Sequence, residues 1–142
     1  MWSLAKTSVD TNSPYAYLMM GEFFDGTCGV ATTGDELLGF VTGFRLPADP
    51  ETLFIWQIAV TESARGTGLG GRLLDEVANR ATHPRIRHLA ATVTPDNAAS
   101  DRLFRSFAER WGATCESEEL FDRGDFPHGD HQPEFRYHIG PL

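Results

Sequence analysis

Basic residues are scarce in this chain: 12 Lys and Arg stand against 20 Asp and Glu in 142 residues, a formal net charge of −8. That deficit argues against nucleic acid as a partner, which needs a concentrated positive face. It fits a small cationic substrate, or simply solubility. No apolar run is long enough to cross a bilayer, and no basic segment followed by an apolar one opens the chain. The expectation is therefore a cytoplasmic protein with no membrane partner. Cysteine is nearly absent: Cys28 and Cys115 lie far apart and match no metal or redox spacing, which reads as two buried, reduced thiols. Repeats, low-complexity tracts and linkers are missing as well, so residues 1–142 form one domain.

What the chain does have is concentrated in residues 52–80. An apolar run, LFIWQIAV over residues 53–60, alternates Phe54, Trp56, Ile58 and Val60 on one face with Leu53, Ile55 and Ala59 on the other. It reads as a strand covered on both sides. A glycine-rich turn follows, Arg65, Gly66, Thr67, Gly68, Leu69, Gly70, Gly71, and then Leu69, Leu73, Val77 and Leu74, Ala78, Ala81 recur at helical spacing. Glycines let the backbone turn tightly and leave amide hydrogens bare at a positive helix end, a site for phosphate. No Lys-Ser or Lys-Thr follows the glycines, so the nucleotide-binding P-loop is excluded. The dinucleotide fingerprint G-x-G-x-x-G is spelled out, but residues 61–65 separate it from the strand and no acid ends a strand about twenty residues later.

Elsewhere, residues 1–6 suit the end of a helix, and Ser13 and Pro14 suit the N-cap and first position of a second helix through Met20. Residues 28–31 and 37–44 read as strands joined by a turn at 33–35, and with the Leu53 strand they predict an antiparallel meander. Residues 86–94 form the next strand. A helix follows, capped by Asp96 or Asn97 at its start and Gly112 at its end. Residues 114–120 and 134–139 complete the strands, around a polar loop over 121–133. Antiparallel strands leading into a β-α-β-α-β half predict an α/β mixed sheet.

The pattern Arg-x-x-Gly-x-Gly at residues 65–70 resembles the acyl-CoA pyrophosphate loop of GNAT-type N-acetyltransferases. Four stretches narrow the resemblance to the diaminobutyrate acetyltransferase family of ectoine biosynthesis: DTNSPYAY (10–17), FIWQIAV (54–60) with its loop, TVTPDNAAS (92–100), and the tail 126–141 with His131 and Glu134. They span nearly the whole chain in the family's order. The resemblance implies the GNAT fold, acetyl-CoA as co-substrate, no metal, and acetylation of the side-chain amine of L-2,4-diaminobutyrate. It leaves the family's usual first strand without a counterpart, through either a shortened form or a misassigned start, and so implies a marginal monomer or a homodimer.

On that resemblance, the amides of Gly66, Thr67, Gly68, Leu69, Gly70 and Gly71 cradle the pyrophosphate and Arg65 adds charge. Ile58, Ala59 and Val60 pair with the pantetheine arm like an extra strand, and Asn97 holds that arm or simply caps its helix. For the substrate, Asp10 and Glu134 can each pair an ammonium, Trp56 can stack on the aliphatic stem or serve the core, and Tyr15 and His131 offer a hydroxyl and an imidazole. The amine must lose a proton before it attacks; Glu134 is the first choice of base and Asp10 the second. Many GNAT enzymes carry a tyrosine acid at the position occupied here by Phe104, so Tyr15, His131 or water would replace it. Other outcomes left open are a GNAT enzyme for another amine and a non-catalytic acyl-CoA-binding module. A metal reading of His128, His131 and Glu134 finds no fold to supply a third distant ligand.

Overall fold

The computed structural model describes residues 1–8, 12–81, 84–127 and 131–142. Six strands form one mixed sheet: β1 (Gly29–Thr33), β2 (Glu36–Leu46), β3 (Asp49–Val60), β4 (His88–Val93), β5 (Thr114–Phe121) and β6 (Glu134–Gly140). Their spatial order is β1-β2-β3-β4-β6-β5, with β3 and β4 parallel and every other neighbour antiparallel. The expected meander is β1 to β3. The parallel step from β3 to β4 is made through α3 (Leu69–Arg80), as a parallel crossover requires.

Two helices cover each face. On one, α3 and α4 (Ala98–Trp111) bury Leu69, Leu73, Leu74, Val77, Phe104 and Phe107 against Val41, Leu53, Ile55, Leu89, Ala91 and Ile139. The opposite face is covered by α1 (Trp2–Ser8) and α2 (Pro14–Phe23), where Ala5 and Tyr17 pack on Phe40 and Ala59. The caps act as the residue types require. Ser13 Oγ accepts from the Ala16 amide with Pro14 at the first helical position, Asn97 accepts from the Ser100 amide at 3.0 Å, and Gly112 closes α4 in the left-handed region.

The regular alternation expected along residues 53–60 is corrected by a bulge. Thr42 pairs with Gln57 and Gly43 with Ile55, so Trp56 is the extra residue. One additional residue flips every side chain beyond it. Leu53 and Ile55 therefore face α3 and α4, yet Ile58 and Val60 also pack against that core, while Ala59 turns to α1 and α2. Pairing with β4 stops at Ile55 and Ala91, one residue before the bulge. Past that point β3 and β4 part, and the functional hollows lie in the gap.

Candidate active site

The first hollow, about 1060 Å³, lies between the end of β3, the glycine turn and α4. Ile58, Ala59 and Val60 form one wall, and Arg65, Gly66, Gly68, Leu69, Gly70 and Gly71 form the floor. Gly66 and Gly68 have φ of +74° and +76°, values L side chains rarely adopt. Gly68 is the N-cap of α3 and offers no side chain to its amides. The first helical bond recorded there runs from the Arg72 amide to the Gly68 carbonyl, so the amides of residues 69–71 precede the ladder and point to the helix's positive end. Arg65, Arg72, Arg102 and Arg110 also line this hollow. Four of the twelve basic residues of an acidic chain thus border one groove, where an anion gains most.

Two loop residues also fix the local packing. Thr67 is absent from the lining; its hydroxyl donates to the Ala64 carbonyl at 2.7 Å and fixes the turn. Gly71 makes room for α4: a Cβ there would stand 3.1–3.3 Å from the Arg110 guanidinium. Arg110 in turn donates to Asp75 Oδ1 at 3.0 Å, and Trp111 Nε1 donates to the same oxygen at 2.8 Å. Asp75 thereby ties α3 to α4 and shapes the groove.

A second hollow of about 570 Å³ opens where β3 and β4 part. Trp56, Gln57 and Ile58 line it from β3, Thr92, Val93 and Thr94 from β4 and the turn after it, Phe104 from α4, Glu134 from β6, and Lys6 and Asn12 from the N-terminal segment. Ile58, Asn97 and Ser100 line both hollows, so the two are contiguous. Asn97 Oδ1 is engaged by the cap and its Nδ2 hydrogens remain as donors toward the junction. Phe104, 2% exposed, supplies an apolar wall.

The expected substrate residues are not all brought together. Trp56 and Glu134 line the second hollow. His131 stands behind it: its Nε2 is 3.7 Å from Glu134 Oε1, its Nδ1–H donates to the Gln132 carbonyl at 2.6 Å, and its ring stacks on Phe126. Tyr15 lies on the outer side of α2, 67% exposed, and lines neither hollow. Asp10 and His128 fall outside the described residues. Sequence reasoning passed over Gln57, whose Oε1 accepts a 2.8 Å hydrogen bond from the buried hydroxyl of Tyr17. The signal was available, because a glutamine inside an apolar strand needs a partner.

A polar latch lies beside the second hollow. Thr94 Oγ1 donates to Asp96 Oδ1 at 2.7 Å, and Gln132 Nε2 donates to Asp96 Oδ2 at 2.9 Å. The loop bearing His131 and Glu134 is thereby fastened to the turn bearing Asn97. On α4, Asp101 accepts from the Tyr137 hydroxyl at 2.7 Å and from Arg105 Nε at 2.8 Å. These bonds, Tyr137's first, hold the Asp101 carboxyl below its ordinary range, while burial and then the Asp101 bond push the Tyr137 phenol up.

Residues 2–108 match the family model described as Acetyltransferase (GNAT) family. L-2,4-diaminobutyric acid acetyltransferase from Shouchella clausii is 48% identical over 143 residues, spanning all of this chain and 80% of that protein. The protein of the same name from Streptomyces coelicolor is 47% identical over all of this chain and 86% of its own length. Among solved structures, diaminobutyrate acetyltransferase EctA from Paenibacillus lautus, in complex with its substrate L-2,4-diaminobutyric acid and coenzyme A, superposes with a TM-score of 0.92 at 38% identity, covering 99% of this chain and 86% of that one.

Proposed function

Because the chain belongs to the GNAT acetyltransferase family and, within it, to the L-2,4-diaminobutyric acid acetyltransferases, we propose that it transfers acetyl from acetyl-CoA to the side-chain (γ) amine of L-2,4-diaminobutyrate. The product is Nγ-acetyl-diaminobutyrate, for ectoine biosynthesis. One observation carries this reading: the anion-ready groove and the hollow holding Glu134 are contiguous at Ile58, Asn97 and Ser100. The solved relative from Paenibacillus lautus, by its description, binds both molecules.

The residues divide the work as follows. The amides of residues 69–71 and the arginines around them take the coenzyme's diphosphate. The open edge of residues 56–60, which β4 does not pair, takes the pantetheine arm, with Asn97 as a side-chain donor. The thioester then lies near the junction, with the substrate amine in the second hollow. Glu134, 18% exposed, takes a proton from the ammonium, and His131 orients the carboxylate. The freed nitrogen attacks the thioester carbonyl, an amide near Ala59 or Val60 meets the oxyanion, and the carbon–sulfur bond breaks. With Phe104 where a proton donor would stand, the sulfur leaves as thiolate, and the second proton shed by the attacking nitrogen as the amide forms passes to it through water, while Glu134 gives the first to solvent.

A thiol-release assay with acetyl-CoA and L-2,4-diaminobutyrate, ornithine, lysine and spermidine tests the reading. Diaminobutyrate should give the highest kcat/KM. Release with another amine and none with diaminobutyrate would move the enzyme to a different substrate, and coenzyme binding without release on any amine would make it a binding module. We also propose a homodimer through the outer face of α2, where Tyr15, Leu18 and Phe23 are 66–70% exposed. A one-chain mass in sedimentation equilibrium at assay concentrations counts against that interface.

A further inference from the structure

Among the described residues lining the second hollow, Lys6 is the one cation and Glu134 the one carboxylate. They enter from different elements, Lys6 from α1 and Glu134 from β6. Lys6 is also the only lysine in the sequence. Its ammonium sits 3.5 Å from the centroid of the Trp2 indole, one helical turn earlier, and it joins none of the ion pairs among the described residues. A cation–π contact restrains an ammonium without neutralising it. Among the described residues, the charge at this rim is therefore held in place and neutralised by no carboxylate.

Diaminobutyrate brings that anion. It carries two amines and one carboxylate, and removing the carboxylate leaves 1,3-diaminopropane. Glu134 at one side of the hollow suits an ammonium, and among the described residues nothing else charged lines the remainder except Lys6. Building on the diaminobutyrate reading, we propose that Lys6 recognises the α-carboxylate of the substrate and so distinguishes a free diamino acid from a plain diamine. Two opposite charges on opposite elements also fix which amine is presented: with the carboxylate drawn to Lys6, the distal nitrogen is the one left to reach Glu134 and the thioester. The contact is made before and during transfer alike, so it acts on binding more than on the chemical step.

The test compares the native enzyme with Lys6→Met and Lys6→Arg, using the KM for L-2,4-diaminobutyrate and the inhibition constant of 1,3-diaminopropane as competitor. Losing a charge-assisted contact in Lys6→Met should raise that KM about 10–100-fold with little change in kcat. The inhibition constant should move far less, so that the ratio of the two constants collapses. Lys6→Arg should restore most of the ratio. Equal shifts for both ligands, or an unchanged ratio in Lys6→Met, would overturn the proposal. A native enzyme inactive on diaminobutyrate removes the function reading and this inference together; an active one with an unchanged ratio in the variant removes this inference alone.

Discussion

Gly43 and Phe54 come so close across β2 and β3 that a Cβ on Gly43 would lie 2.6 Å from the Phe54 carbonyl oxygen. This contact sits at the bulge, where Thr42 pairs with Gln57, Gly43 with Ile55, and Trp56 is left over. A glycine on β2 thus permits the tight crossing that turns β3 away from β4. The parting of those strands makes room for two ligands. Gly43→Ala should destabilise the fold by about 1–3 kcal/mol, the usual cost of overpacking. It should also lower kcat/KM, because the widened crossing changes the bulge. Chemical denaturation and steady-state kinetics on one preparation check both; full stability with full activity would show that the close approach is dispensable.

Among the described residues, Glu134 is the carboxylate that lines the second hollow, and His131 Nε2 lies 3.7 Å from it. Glu134→Gln keeps the shape and removes the base. Turnover on diaminobutyrate should drop about 10²–10⁴-fold, while calorimetry with coenzyme A gives a native affinity. Native turnover in this variant would assign proton removal elsewhere.

The Thr94–Asp96–Gln132 latch fastens the loop that carries Glu134. Asp96→Ala, which loses both bonds of the latch, and Gln132→Ala, which loses one, should each raise the KM for diaminobutyrate about tenfold or less. The double variant should be no worse than the worse single one, because both remove the same bond. Additive effects would mean the two side chains act separately.

Tyr137 and Asp101 predict a stability profile with two edges. Asp101 has its folded pKa depressed, by the Tyr137 hydrogen bond before the Arg105 one. Its contribution is present above the unfolded value near 3.9 and is lost as pH falls through the folded one. Tyr137 has a raised pKa, from burial and then Asp101, so its contribution holds below about pH 10 and fades as pH rises through the folded value. Tyr137→Phe should cost about 1 kcal/mol at neutral pH, with a smaller difference at pH 3. A difference that stays constant across that range contradicts the linkage.

Local chemistry made much of this legible in the sequence. Ser13 with Pro14, Asn97 and Gly112 bound their helices as their residue types require, and the glycine turn stands between strand and helix as its spacing implies. What stayed hidden depends on neighbours distant in the chain. The face reversal after Trp56 sits opposite Gly43 on another strand, whose missing Cβ permits the close crossing. Tyr15 and Tyr17 share one short apolar helix without a clear polar face, so periodicity could not tell that Tyr17 turns in to Gln57 and Tyr15 turns out. The arginines contributed by α4, Arg102 and Arg110, join the groove through the packing of α4 on α3, where Asp75 binds Arg110 and Trp111 across the helix pair.

Calorimetric titration of coenzyme A into the native protein and into Gly68→Ala tests most directly whether the bare amides at the start of α3 hold the diphosphate. Alanine is strained at a φ of +76°, by about 1–2 kcal/mol, and must tilt the amides that follow to relieve it. The account predicts coenzyme affinity weakened about tenfold or more, with a cooperative unfolding transition retained. Equal affinity in the two proteins would contradict it.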